Sequence, residues 1–83
     1  MKDDVLEAVC SHLERGQLLR VKMSAGSMLM GEFARYEDGG GVTAGILFMV
    51  SAGQTLGLTA AQIERILPYD APFEDTYSPD TEN

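Results

Sequence analysis

Cysteine and histidine occur once each in this 83-residue chain, as Cys10 and His12. A single thiol forms no internal disulfide, and one Cys with one His offers no spaced ligand set for zinc. Covalent and metal staples are therefore excluded, although a chain this short buries only a modest fraction of its surface. Self-association is the help that remains. Basic residues are also scarce, six against thirteen acids, for a formal net charge of −7. No apolar run approaches the ~20 residues that span a bilayer. Met1-Lys2-Asp3-Asp4 lacks the basic-then-apolar order of a secretory leader. A cytoplasmic protein with no membrane partner is expected. No carboxylate pair, nucleophile beside a base or metal cluster stands out, so the expectation is a non-enzyme without cofactor or metal. His12 has no spaced partner and is read as a solvated helix residue.

The acidity is uneven. Asp70, Glu74, Asp75, Asp80 and Glu82 fall in the last fourteen residues with no base among them, leaving residues 1–69 at a net −2. Residues 70–83 contain prolines and charge but no periodicity, and are expected to be a disordered acidic tail following a single domain over 1–69. Two readings of the tail stay open: a solubilising extension, or a mimic of nucleic acid that competes for a basic face.

What is present is a β pattern. Leu19, Val21 and Met23 alternate with Arg20, Lys22 and Ser24, the period-2 signature of a strand with one face in a core and the other in water. Ala25-Gly26 reverses the chain. Leu29 and Phe33 carry the inward pattern into a second strand, with Gly31 between them on the same face, where a missing side chain permits a sharp bend. Ile46-Leu47-Phe48-Met49-Val50 is a continuous apolar run of strand length, which implies burial on both faces. Expected elements are a helix over about 4–15 and strands over about 17–24, 27–37, 44–51, 55–58 and 63–67.

Asp3 or Asp4 is placed to cap the helix, with Glu7 reciprocating from three residues beyond Asp4. Val5, Leu6, Val9 and Leu13 share its apolar face, Cys10 sits at the margin, and Gly16 is expected to end it. Glu37-Asp38-Gly39-Gly40-Gly41 reads as a mobile loop. It lacks the Lys-Ser/Thr that completes a phosphate-binding loop, and two acids precede it. Met28 and Met30 alternate with Leu29 and so point outward, two apolar side chains on a strand next to Lys22 and Ser27.

This order of helix, hairpin glycine, bend glycine and a one-turn link before the last strand resembles the Sm-like family, which includes Sm, LSm and Hfq proteins. The resemblance covers roughly residues 4–69. Leu19, Val21, Met23, Gly26, Leu29, Gly31 and Phe33 follow the first Sm motif, Tyr36 matches its next core position, and Glu37 stands where Asp is usual. Leu58, Ile63 and Ile66 fit the second motif, and Ile63-Glu64-Arg65-Ile66-Leu67-Pro68 is similar to the Ile-x-x-Val-Val-Pro ending of Hfq-like chains.

The resemblance implies a mainly β fold, an N-terminal α-helix followed by a five-stranded, strongly bent SH3-like (Sm-like) barrel. It also implies a homo-oligomeric ring of five to seven subunits, in which the fourth strand of one copy pairs with the fifth of the next through Leu56, Leu58, Ile63 and Ile66. The family's pore-side RNA readers fall on Gly39, Gly41, Thr59, Ala60 and Ala61, and are missing. Single-stranded RNA is accordingly assigned to the outward face of the hairpin, with Arg20, Lys22 and Arg35 supplying charge and Ser27, Met28, Met30 and Tyr36 the remaining contacts. The alternative is an assembly or adaptor ring that uses the same barrel without nucleic acid.

Overall fold

The computed structural model describes residues 1–68; the predicted acidic tail lies outside the described residues. A short helix, α1 (Asp3–Cys10), precedes β1 (Leu18–Met23), β2 (Met28–Glu37), β3 (Ile46–Ser51) and β4 (Gln54–Thr59). A single 3-10 turn, Ala60–Gln62, leads into β5 (Ile63–Pro68). All five strands form one antiparallel sheet in the order β4-β3-β2-β1-β5. The sheet is not closed: β4 and β5 are its two edges and do not pair with each other among the described residues.

Alternation assigns the faces. Leu19 and Val21 on β1, Phe33 on β2, Leu47 and Met49 on β3, Leu58 on β4 and Ile63 on β5 are buried on the inner face with Ala60. α1 covers that face with Leu6 and Cys10, one helical turn apart and both buried. Val5 is exposed, so the helix seats on a narrower stripe than its apolar residues suggest. Burial pushes the Cys10 thiol up to about 11, because a thiolate there would lose its hydration.

Two bulges adjust the alternation. In β2 the register slips between Phe33 and Arg35, leaving Ala34 as the extra residue, and in β5 it slips opposite Lys22 and Met23, leaving Glu64 as the extra one. Each bulge bends and twists its strand. β2 passes close to β3 at Gly31: a Cβ there would collide with the Val50 carbonyl oxygen and press on the Met49 methyl. The absent side chain is what allows the approach.

The turns follow their residues. Gly26 takes a φ of 105° and its N–H donates to the Met23 carbonyl at 2.9 Å. Between β3 and β4 both central residues, Ala52 (φ 53°) and Gly53 (φ 79°), lie in the left-handed region, the backbone sign of a type I′ hairpin turn.

α1 is shorter than the expected 4–15. Gly16, at φ 88°, donates its N–H to the Phe33 carbonyl at 2.8 Å, and Phe33 returns a bond to the Gln17 carbonyl at 2.8 Å. These bonds draw the chain onto the middle of β2, so the helix stops at Cys10 and residues 11–17 cross in turns. The anticipated capping box of Asp4 and Glu7 is also absent. Lys2 is the N-cap without a side-chain bond, and Asp4 instead accepts from the N–H of Val5 at 2.9 Å. Asp3 and Asp4 still stand in the first turn, where negative charge is favoured. A capping box does form at the 3-10 turn between Thr59 and Gln62; the Thr59 N–H donates to Gln62 Oε1 at 2.9 Å.

Gly31→Ala is expected to lower the free energy of unfolding by about 1–3 kcal/mol, the usual cost of overpacking, as read from the urea midpoint at unchanged slope. The Cys10 thiol binds its proton more tightly folded than unfolded, so its contribution is complete below the unfolded value of 9.0 and declines as pH rises toward about 11. Stability measured across that interval should fall less steeply in Cys10→Ala than in the parent chain.

Candidate nucleic-acid interface on the outer sheet face

Register brings the outward residues of separate strands side by side. Leu18 faces Glu32; Arg20 lies between Met30 on β2 and Leu67 on β5; Lys22 lies between Met28 and Arg65. Farther along β2, Arg35 is opposite Phe48 and Glu37 is opposite Ile46. Four of the chain's six cations, Arg20, Lys22, Arg35 and Arg65, therefore share one face. Met28 and Met30 stand among them, 48% and 49% exposed, with Leu18 and Val50 exposed on the same side. This is a mixed basic and apolar surface, larger than the scattered apolar residues usual on a monomer.

Two ion pairs moderate the charge. Arg35 donates to Glu37 at 2.9 Å while its guanidinium lies 4.1 Å from the centre of the Phe48 ring. That combination of ion pair and cation–π contact holds the guanidinium flat on the sheet. Lys22 approaches Glu64 at 3.9 Å with both side chains about half exposed, a pair worth little and readily exchanged for another anion.

Arg20 departs from expectation. Alternation places it outward, yet only 7% of it is exposed, and its side chain is already engaged within the chain. Met30 and Leu67 flank it, and burying a guanidinium requires such engagement to offset lost hydration. Arg20 is a fixed charge within this face rather than a freely solvated one.

Tyr36 does not join this surface. It pairs with Leu47 on the inner side and is packed partly against the core. There it lines an open cleft of about 510 Å³ with Asp3, Asp4, Glu7 and Asp38. Gly45 makes room for it, since a Cβ at that position would collide with the Tyr36 hydroxyl. Burial raises the Tyr36 phenol above its ordinary 10.0, and the charges of Glu7, Asp38 and Asp3 raise it further. Such a cleft repels phosphate. The glycine loop beside it is a hydrogen-bonded turn, with the N–H groups of Val42 and Thr43 both donating to the Gly39 carbonyl. Among the described residues, no three His, Cys, Asp or Glu side chains are grouped to hold a metal ion.

The other assigned residues divide in the same way. Ser27 is in the β1–β2 turn, where its carbonyl accepts the Met23 N–H at 2.8 Å. Of the residues assigned to a subunit interface, Leu58 and Ile63 are buried in the chain's own core, because alternation turns them inward. Leu56 and Ile66 are partly buried against it, so what the edge strands offer a neighbour is chiefly backbone. Arg65 was not singled out from the sequence. Strict alternation from Ile63 would turn Arg65 inward; the three-residue spacing of Ile63 and Ile66, both inward, is the signal that a bulge reverses the phase.

Comparison with protein-family models, curated proteins and solved structures finds no match to this chain. No helix among the described residues is long and apolar enough to cross a membrane.

Removing Tyr36 should delete a tyrosine ionisation that burial and nearby acids hold above the ordinary value. In an ultraviolet pH titration, the step lost in Tyr36→Phe is expected above 10.

Proposed function

We propose that this chain is an Sm-like module that forms a homo-oligomeric ring and binds single-stranded RNA on the outer face of its sheet. The observation that carries this reading is the collection of Arg20, Lys22, Arg35 and Arg65 on one face together with the exposed Met28 and Met30. Such a face gives a phosphate backbone its counter-charges and gives bases an apolar bed without demanding a sequence. The open sheet supports the assembly half of the proposal. β4 and β5 are left as unpaired edges, and pairing β4 of one copy with β5 of the next completes their backbone hydrogen bonding. In that assembly the bent sheet takes the Sm-like barrel form, and the ring contains five to seven copies. Lys22 and Arg65 are the leading phosphate contacts, with Met28 and Met30 beneath the bases.

A second reading is favoured by Glu32, Glu37 and Glu64, which lie among the cations or at their margin. Under it the module is an assembly or adaptor ring, and the methionine patch contacts protein.

Titration of labelled A-rich and U-rich single strands into the full chain at several salt concentrations separates the two. RNA binding predicts saturable association that weakens with salt. Lys22→Glu should reduce affinity by roughly tenfold or more and make the logarithmic salt slope about one unit shallower. A native mass of five to seven times 9.0 kDa is expected in the same samples. Absence of binding by a folded ring would transfer the face to the adaptor reading.

A further inference from the structure

We propose that Met28 and Met30 are a paired oxidation site, converted by hydroperoxides to methionine sulfoxides, and that this conversion releases nucleic acid from the outer face. The site follows from burial and register; its effect on binding rests on the RNA reading given above. Five methionines occur in the chain, and burial sorts them. Met49 is fully enclosed, Met1 and Met23 are packed partly against the core, and Met28 and Met30 are about half exposed. A thioether is attacked through a lone pair on sulfur, so access decides the order of reaction. The exposed pair stands two residues apart on one face of β2, about 7 Å along the strand. Oxidation therefore falls on the two positions placed beneath the bases, and spares the three methionines that pack in or against the core.

The neighbours make the conversion consequential. Met28 is directly opposite Lys22 and Met30 is directly opposite Arg20, and side chains opposed on one face have their Cβ atoms about 5 Å apart. In the step itself, the sulfur lone pair attacks the terminal oxygen of the hydroperoxide and the O–O bond breaks. The second oxygen leaves with the proton of the transferred one, as an alcohol, or as water when hydrogen peroxide is the oxidant. Sulfur loses two electrons and the peroxide gains them. The product is a sulfoxide, whose oxygen is a far better hydrogen-bond acceptor than the thioether it replaces. Two effects follow on the same face. The bed for the bases becomes polar, and the Lys22 ammonium gains an acceptor that competes with phosphate. Its pairing with Glu64, at 3.9 Å and half exposed, is readily exchanged for the new one. Neither sulfur belongs to the buried core, so the fold survives the change. Sulfoxides are also reduced enzymatically, which makes the step a switch rather than damage.

The test follows the full chain through hydrogen peroxide treatment, with the oxidation of each methionine resolved by peptide fragmentation in the mass spectrometer. Sulfoxide should form at Met28 and Met30 roughly tenfold or more ahead of Met49, whose exposure requires opening of the fold. Affinity for labelled single-stranded RNA should weaken several-fold in step with it. Methionine sulfoxide reductases of both epimer specificities, supplied with dithiothreitol, should restore the original affinity, and dithiothreitol alone should not. Oxidation at Met28 and Met30 no faster than at Met49 would overturn the site. Undiminished affinity once both are sulfoxides would overturn the switch and leave the RNA reading standing. Recovery with dithiothreitol alone would assign the effect to the Cys10 thiol and overturn the switch as well. An untreated, folded chain that binds no RNA would instead remove the RNA reading, and the switch with it.

Discussion

Everything in this molecule depends on how closely β2 can pass β3. At Gly31 the two backbones approach until no side chain fits beside the Val50 carbonyl, and that approach lets the sheet fold over the core that Leu6, Leu19, Leu47, Met49 and Ile63 share with their neighbours. A flat sheet of these lengths would leave Leu19, Met49 and Leu58 facing water, with an eight-residue helix too small to cover them. Curvature lets the inner side chains meet one another. The helix then contributes Leu6 and Cys10 as a lid, while the bulges at Ala34 and Glu64 keep the long strands in phase with the bend.

The same bend separates two electrostatic surfaces. Inside its mouth, Asp3, Asp4, Glu7 and Asp38 gather around Tyr36; on the outside, cations from β1, β2 and β5 converge. A net charge alone describes neither. The chain is acidic as a whole, yet its outer sheet face is its most basic region. Polyanion recognition and acidic composition are therefore compatible here, provided that recognition occurs on the outer face.

Much of this was legible in the residues. The alternation of Leu19, Val21 and Met23, the turn at Gly26 and the small residue at Gly31 depend on local chemistry that a sequence exposes directly. The side-by-side order from β1 through β4 follows from short connections, whereas β5 crosses over to pair with β1. Three features were hidden because they arise from contacts distant in sequence. Gly16 has the look of a helix terminator, but its positive φ serves the bond to Phe33. Period-2 spacing tells which face Arg20 occupies but not how deeply it is buried there. The phase reversal that turns Arg65 outward comes from a bulge, which one pair of isoleucines only hints at. Tyr36 was hidden differently: the Ala34 bulge restores it to the inner face, away from the outward residues of the same strand.

The two bare edges of the sheet are unlike one another, and this has a geometric consequence. β4 and β5 differ in sequence and lie at opposite ends of the strand order, so joining one to the other is a head-to-tail contact that leaves a free end of each kind until the chain of copies returns to its start. In the proposed ring the number of copies would be the full circle divided by the turn between successive subunits, and that turn would follow from the close approach at Gly31 and the two bulges. A half-buried glycine would thus help to set the number of copies in that ring, and relaxing its strand by a few degrees would change a closed ring into a larger one or into an open helix.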